Sequence, residues 1–247
     1  MFSLAGKVAL ITGSTKGIGK SIAEQMAKAG AKVVISSRKA DVCDAVQKEF
    51  AAAGHTAIAL PCNIANKNEV EALVAATMKQ WGRIDILVCN AATNPVYGPM
   101  ASASDDAFDK IMGTNIKSNF WLSNLVIPQM AERKDGVVII VSSIAALKGN
   151  TVIGLYGVSK AADAGLVRNL AVEWGPHNIR VNAIAPGLVR TDFARALWED
   201  EKARKAREAT TPLRRLGEPD DIGGIAVMLA SRAGNFITGQ MIVAMAV

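Results

Sequence analysis

Along this chain, short runs of β-branched and other apolar residues alternate with longer stretches in which apolar positions recur every three or four residues. The short runs predict strands over 8–12, 32–36, 56–61, 84–89, 137–142, 180–185 and 241–243. The periodic stretches predict helices over 17–29, 41–53, 67–81, 105–130, 155–174 and 219–230. Several strands are almost continuously apolar, as strands covered on both faces are. Strands alternating with helices of this length make βαβ units, and right-handed crossovers wind such units into a parallel sheet with helices on both sides. The expected fold is therefore α/β, a doubly wound and mostly parallel seven-stranded sheet. With no repeat, no low-complexity tract and no Pro/Gly linker, residues 1–247 read as a single domain. One stretch, 192–215, breaks the rhythm with charge and alanine. Its segment Asp200-Glu201-Lys202-Ala203-Arg204-Lys205 predicts a solvated helix, either a lid over a site or a plain surface element.

Composition changes this picture little. Half of the 247 residues are hydrophobic, enough to bury a large core. The net charge of +6 is scattered along the chain and aromatics are only 5% of residues, so no basic stripe with interleaved aromatics is present and nucleic acid is not an expected partner. No apolar run has the length of a bilayer span, so no membrane partner is expected either. The first seven residues run straight into a strand and do not read as a signal peptide, and Met245-Ala246-Val247 is not a peroxisomal tripeptide. The cytoplasm is the expected location. Cys43, Cys62 and Cys89 form no CxxC pair, and His55 and His177 stand alone. Reduced thiols and no metal site are the expectation.

Candidate chemistry begins after the first strand, at Thr12-Gly13-Ser14-Thr15-Lys16-Gly17-Ile18-Gly19. Glycines between a strand and a helix let the backbone turn sharply and approach a pyrophosphate, while the helix N-terminus offers free N–H groups to its charge. In this position the pattern points to a dinucleotide and to a Rossmann sheet. The end of the second strand selects between dinucleotides. An acidic residue there would bind the ribose 2′-OH of NAD, but the chain reads Ser36-Ser37-Arg38-Lys39. Arg38 with Ser37 can hold a 2′-phosphate, and Lys16 adds a second cation nearby, so NADP(H) is preferred and NAD(H) remains the second option.

The strand over 137–142 ends in Ser142-Ser143, and ligands of such sheets bind at the carboxyl ends of strands. Further on, Tyr156-Gly157-Val158-Ser159-Lys160 places a phenol and an ammonium four residues apart on one helix face. The Lys cation, and a nicotinamide's positive charge, favour the phenolate and bring the phenol toward working pH.

These pieces together resemble the short-chain dehydrogenase/reductase family over essentially the whole chain. The matching residues are the Thr12-to-Gly19 loop, Asn90-Ala91, Asn115, Ser143, Tyr156 with Lys160, and Pro186-Gly187 with Thr191. The resemblance implies that Tyr156 is the acid for ketone reduction and the base for alcohol oxidation. It implies that Ser143 holds the substrate oxygen, that Lys160 lowers the Tyr pKa and binds the nicotinamide ribose, and that Asn115 holds a water relaying protons to Lys160. It puts Asn90 on the adenosine side of the cofactor and Thr191 with 184–188 on the nicotinamide side, with Asn63, Ile64, Ala91, Leu188 and Val189 also in the cofactor site. Within the family, Ser36–Lys39, 90–95, 141–146 and 215–219 are similar to NADPH-dependent carbonyl reductases of the dehydrogenase/reductase member four type. Two segments depart from the family pattern: Cys89-Asn90-Ala91-Ala92 stands where Asn-Asn-Ala-Gly is usual, and Val243-Ala244-Met245-Ala246-Val247 where Val-Asp-Gly-Gly is.

By the same resemblance, the substrate pocket draws on Val96, Ile144, Ile153, Leu155, Leu188, Phe193, Leu197 and Trp198. No arginine is obviously aimed at a substrate carboxylate, and a buried unpaired charge is costly, so a small hydrophobic carbonyl is the expected substrate. A 3-ketoacyl thioester, with the Arg204-to-Arg215 stretch meeting an acidic carrier or coenzyme A, and a polyol or sugar handled with NAD are the enzymatic alternatives. A nucleotide-sensing binding protein is the non-enzymatic one, although nothing structural would then require Ser143, Tyr156 and Lys160 together. The helices over 105–130 and 155–174 are apolar beyond one face, and the resemblance implies a homotetramer built partly on them.

Overall fold

In the computed structural model, which describes residues 1–245, seven strands form one sheet in the order β3-β2-β1-β4-β5-β6-β7, every neighbouring pair parallel. The strands are β1 (Val8–Thr12), β2 (Lys32–Ser36), β3 (Ala57–Ala59), β4 (Ile86–Cys89), β5 (Gly136–Val141), β6 (Ile179–Pro186) and β7 (Met241–Ala244). The helices are α1 (Gly17–Lys28), α2 (Ala40–Ala52), α3 (Lys67–Trp81), α4 (Asp105–Met112), α5 (Ser118–Glu132), α6 (Gly154–Trp174), α7 (Glu201–Thr210) and α8 (Pro219–Ala230). This is the doubly wound Rossmann sheet that the alternating pattern predicts, parallel throughout.

The period-two pleat sorts side chains between two cores. Ala9, Ile11, Val33 and Ile35 pack against α1, α2 and α8, while Leu10, Val34, Leu87 and Ile140 pack against α3, α5 and α6. Each fully buried aliphatic side chain contributes about 1.5–3 kcal/mol, so the central strands hold the frame. At the amino end of the sheet, Asp85 accepts from Val8 N at 2.8 Å and is flanked by Arg83 and Arg133. That end is closed by structural ion pairs; the carboxyl end is left to the loops.

Most elements differ from the predicted bounds by two residues or fewer at an end, and one differs in kind. The strand over 56–61 shortens to Ala57–Ala59 at the sheet edge, where β3 has one pairing neighbour. The single helix over 105–130 is α4 and α5 joined by a π-helical turn, Gly113–Lys117. The turn is secured by Asn115, whose amide exchanges hydrogen bonds with the Thr93 backbone (2.8 and 3.0 Å), so one residue is spent on a contact outside the helix. The charged segment does form a helix, α7, capped at its start by Asp200 accepting from Ala203 N at 2.7 Å.

Candidate active site

The loop from β1 to α1 is bent by Gly13 and Gly17, at φ of +66° and +54°, where a side chain would be strained. Lys16, the residue before α1, makes no capping hydrogen bond from its side chain, so the first N–H groups of the helix open into the cleft. A Cβ on Gly19 would stand 2.3 Å from Gly13 O and 2.4 Å from Asn90 Nδ2, so the first turn of α1 packs directly on the loop backbone and on the Asn90 side chain. Asn90 Nδ2 donates to Thr12 O (2.9 Å) and Gly13 O (3.1 Å) and braces the turn. Ser14 does not face the cleft: fully buried, its hydroxyl donates to Ile11 O (2.8 Å) and accepts from Ser36 N (2.9 Å), stapling the loop to β2.

A cavity of about 650 Å³ runs from this loop along the carboxyl edge of the sheet. Apart from Ser14, every residue expected to hold the dinucleotide lines it: Gly13, Thr15, Lys16, Gly17, Ile18 and Gly19 at the loop, Ser37 and Arg38 after β2, Asn63 and Ile64 after β3, Asn90 and Ala91 after β4, Tyr156 and Lys160 on α6, and Pro186, Gly187, Leu188, Val189 and Thr191 after β6. Arg38 is exposed and has no acidic partner among the described residues. Lys16 differs from expectation. Its Nζ reaches across the cleft to Asp192 Oδ2 at 3.2 Å, which leaves Arg38 as the uncommitted cation at the end of β2, beside Ser37, whose hydroxyl lies 3.2 Å from Cys43 Sγ. An uncapped helix N-terminus and a glycine at 19 that admits no Cβ fit the phosphates of a nicotinamide dinucleotide.

The polar centre of the cleft is built by β5 and α6. Ser143 follows β5 and accepts from Ala145 N at 3.1 Å, opening the 3-10 turn Ile144–Ala146. A Cβ on Gly157 would lie 2.8 Å from Ala145 O, so α6 packs hard against that turn and sets Tyr156 at the cavity wall with Ser143. Lys160, one helical turn on, is 2% exposed; its Nζ lies 5.8 Å from the Tyr156 ring centre and donates to Val141 O at 2.8 Å. Burial pushes the Tyr156 phenol above its ordinary value, outweighing the lowering by Lys160 and Ser143. This reverses the expected direction. The sequence pattern showed the cation but not how dry the phenol is. Asn115 does not border the cavity: it is fully buried, its amide held by Thr93 and donating to Ser159 Oγ at 3.0 Å.

Sequence and shape then agree on the ancestry of this arrangement. The family model described as Enoyl-(Acyl carrier protein) reductase matches residues 13–245. Dehydrogenase/reductase SDR family member 4 of Homo sapiens is 42% identical over 240 residues, covering 97% of this chain and 86% of the relative. This chain belongs to the short-chain dehydrogenase/reductase family. As a short-chain dehydrogenase/reductase it is an oxidoreductase. Among solved structures, a 7 alpha-hydroxysteroid dehydrogenase complexed with NADH and 7-oxo glycochenodeoxycholic acid is 38% identical, with a TM-score of 0.93 and coverage of 98% of this chain and 94% of that one. A gluconate 5-dehydrogenase from Burkholderia cenocepacia in complex with NADP and tartrate is 31% identical, with a TM-score of 0.94 over 98% and 94%.

In this short-chain dehydrogenase/reductase, Ile144, Ile153, Leu188, Phe193 and Leu197 of the expected substrate pocket line the cavity, whereas Val96, Leu155 and Trp198 do not. Leu155 is 5% exposed within the protein, and the Trp198 indole N–H is used to donate to Thr191 O at 3.0 Å. The Phe193 ring sits 6.0 Å from that of Tyr156 and shields it. Arg207 and Thr210 of α7 also line the cavity, which puts the charged segment beside the site. Tyr97 also lines the cavity, its hydroxyl donating to Phe193 O at 3.4 Å, and the residues missed from the sequence are the cavity-lining cations Lys110 and Lys148. A further miss is Asp163, fully buried beside Lys160; its signal is a lone acid on the apolar face of α6. The atypical tail puts Met245 in the cavity, at φ +149° and packed against Gly187, while Ala246 and Val247 lie outside the described residues.

Proposed function

We propose that this oxidoreductase reduces small hydrophobic ketones to secondary alcohols with NADP(H), reversibly. The observation that carries the reading is the Ser143–Tyr156 pair at the wall of a largely apolar cleft, with Lys160 buried behind the phenol. The glycine loop and the helix N-terminus would hold the pyrophosphate, and Arg38 with Ser37 the 2′-phosphate. The bound cofactor supplies the hydride that reaches the carbonyl carbon. Ser143 donates to the carbonyl oxygen and fixes it, and Tyr156 gives its proton to the same oxygen as negative charge develops there. Lys160 stabilises the phenolate left behind, and its buried position makes that charge effective. A phenol held above its ordinary pKa by burial stays protonated across neutral pH, which suits the reducing direction. Asn115 acts from behind, holding the 93 loop and Ser159 in place.

Loss of reduced-nicotinamide absorbance with NADPH and an aryl or alkyl ketone tests this directly. A second reading is kept by Arg207 and Lys148 at the cavity, cations that suit the phosphates of a 3-ketoacyl thioester; turnover with acetoacetyl thioester alone would select it. The protein acts in the cytoplasm on this reading, and no helix among the described residues is long and apolar enough to cross a membrane. Assembly as a homotetramer is supported by Phe120 on α5 and Val172 on α6, which are 49% and 80% exposed.

A further inference from the structure

Inside α6, one turn beyond Lys160, stands a carboxylate that the reaction as described does not use. Asp163 is fully buried and its Oδ2 lies 3.3 Å from Lys160 Nζ. Oδ1 accepts from Asn119 Nδ2 at 3.2 Å, and Asn119 itself is anchored by donating to Asn115 O at 2.7 Å. Oδ2 accepts no well-directed hydrogen bond, so the Lys160 ammonium is the group that answers its charge. A carboxylate removed from water costs several kcal/mol unless it is paired, and Asp163 has one cation within reach.

We propose that Asp163 is a positioning residue for the reaction: held by Asn119, it keeps Lys160 charged and seated behind Tyr156. The inference rests on the assignment of Tyr156 and Lys160 as the proton-handling pair. The ammonium has three protons. One goes to Val141 O and one faces Asp163, leaving the third for the cavity that Lys160 helps to line. Without Asp163 the tendency of burial to strip the proton from Lys160 loses its largest opponent. Burial alone lowers the ammonium, whereas Asp163 and then Tyr156 raise it, and the net direction is upward.

The other groups facing the pair support the assignment. From β4 comes Cys89, whose thiol burial keeps neutral; from the end of β5, Ser142 and Ser143; from α5, Asn119; and from the loop after β4, Tyr97. None of these brings a second formal charge. Asp163 therefore sets the balance for both partners: it raises Lys160 and it raises Tyr156. Removing its charge lowers both, and carbonyl reduction needs both protonated. The two effects act in the same direction on the alkaline side of the reductive pH profile.

The test is the pH dependence of kcat for NADPH-dependent ketone reduction in Asp163→Asn, which keeps the shape and removes the charge. The alkaline limb is expected to move to lower pH by about one to three units. Near neutral pH, kcat should fall at least about tenfold with the ketone KM little changed. An unmoved limb with kcat like the parent's overturns the proposal, as does a drop in kcat with no shift of the limb, which would mark a merely structural residue. Thermal melting of the cofactor-free protein gives a second readout, needed where Asp163→Asn alone fails to fold. Lys160→Met should melt lower, because it strands a buried carboxylate, and Asp163→Asn added to Lys160→Met should raise the melting temperature again. A double variant no more stable than Lys160→Met overturns the pairing. Turnover that survives in Lys160→Met overturns the underlying catalytic reading instead, and the melting series separates the two failures.

Discussion

At the residue scale the chemistry depends on a few side chains whose surroundings decide what they do. Arg38 is the determinant of cofactor choice in this account. It is exposed and unpaired among the described residues, while Lys16, the other cation of the loop, is engaged by Asp192. Arg38→Asp removes the charge-assisted hydrogen bonds to a 2′-phosphate and supplies an acceptor for a ribose hydroxyl. KM for NADPH is expected to rise about tenfold to a hundredfold while KM for NADH falls, as steady-state kinetics with the two cofactors would read. The tyrosine carries a pH signature. Reduction needs the neutral phenol, and burial raises its pKa, so the reductive rate should stay level through neutral pH and fall only on the alkaline side; a fall beginning at or below neutral pH would contradict that environment. Spacing put Tyr156 and Lys160 on one helix face and Ser143 at a strand end, and the family resemblance supplied the roles proposed for them. The direction of the Tyr156 shift and the presence of Asp163 were not legible. Both depend on how completely α6, α5 and the ends of β4 and β5 exclude water, which no one-dimensional pattern records.

At the element scale, periodicity read the helices well wherever one face meets the sheet, as α3 and α8 do with the expected bounds. It failed where a side chain leaves the helix to bond elsewhere. A continuous apolar pattern over 105–130 conceals the π-helical turn at Gly113–Lys117, because the cause is Asn115 bonding to Thr93, far away in sequence. Ser14 was misplaced for a related reason: glycine-loop spacing gives the path of the backbone but not which side chains turn inward to staple β1 to β2. The loop itself makes a sharp prediction. Gly19→Ala forces a Cβ against Gly13 O and Asn90 Nδ2, where backbone must move. It should cost about 1–3 kcal/mol in denaturant unfolding and weaken dinucleotide binding as well. Melting and cofactor titration like the parent's would mean that the backbone contact is dispensable.

At the scale of the whole molecule, one doubly wound sheet leaves its carboxyl edge open for a cavity and closes its amino edge with the Arg83–Asp85–Arg133 cluster. Fold class and parallel winding follow from alternation and right-handed crossovers, so this level was the most legible. Association was legible only as excess apolar surface on α5 and α6. If those helices carry a tetramer, Phe120→Lys should shift sedimentation to a smaller species without loss of fold by circular dichroism; unchanged sedimentation would move the interface elsewhere. The cleft, the cation at its far end and the buried phenol converge on one reaction. The most direct measurement is therefore ketone-dependent oxidation of NADPH by the parent protein and by Tyr156→Phe, with NADPH binding measured in both. The account predicts turnover with an apolar ketone in the parent, a loss of about a hundredfold to ten-thousandfold in Tyr156→Phe, and equal cofactor binding in the two. Full activity in Tyr156→Phe, or no ketone turnover by a parent that binds NADPH, would contradict it.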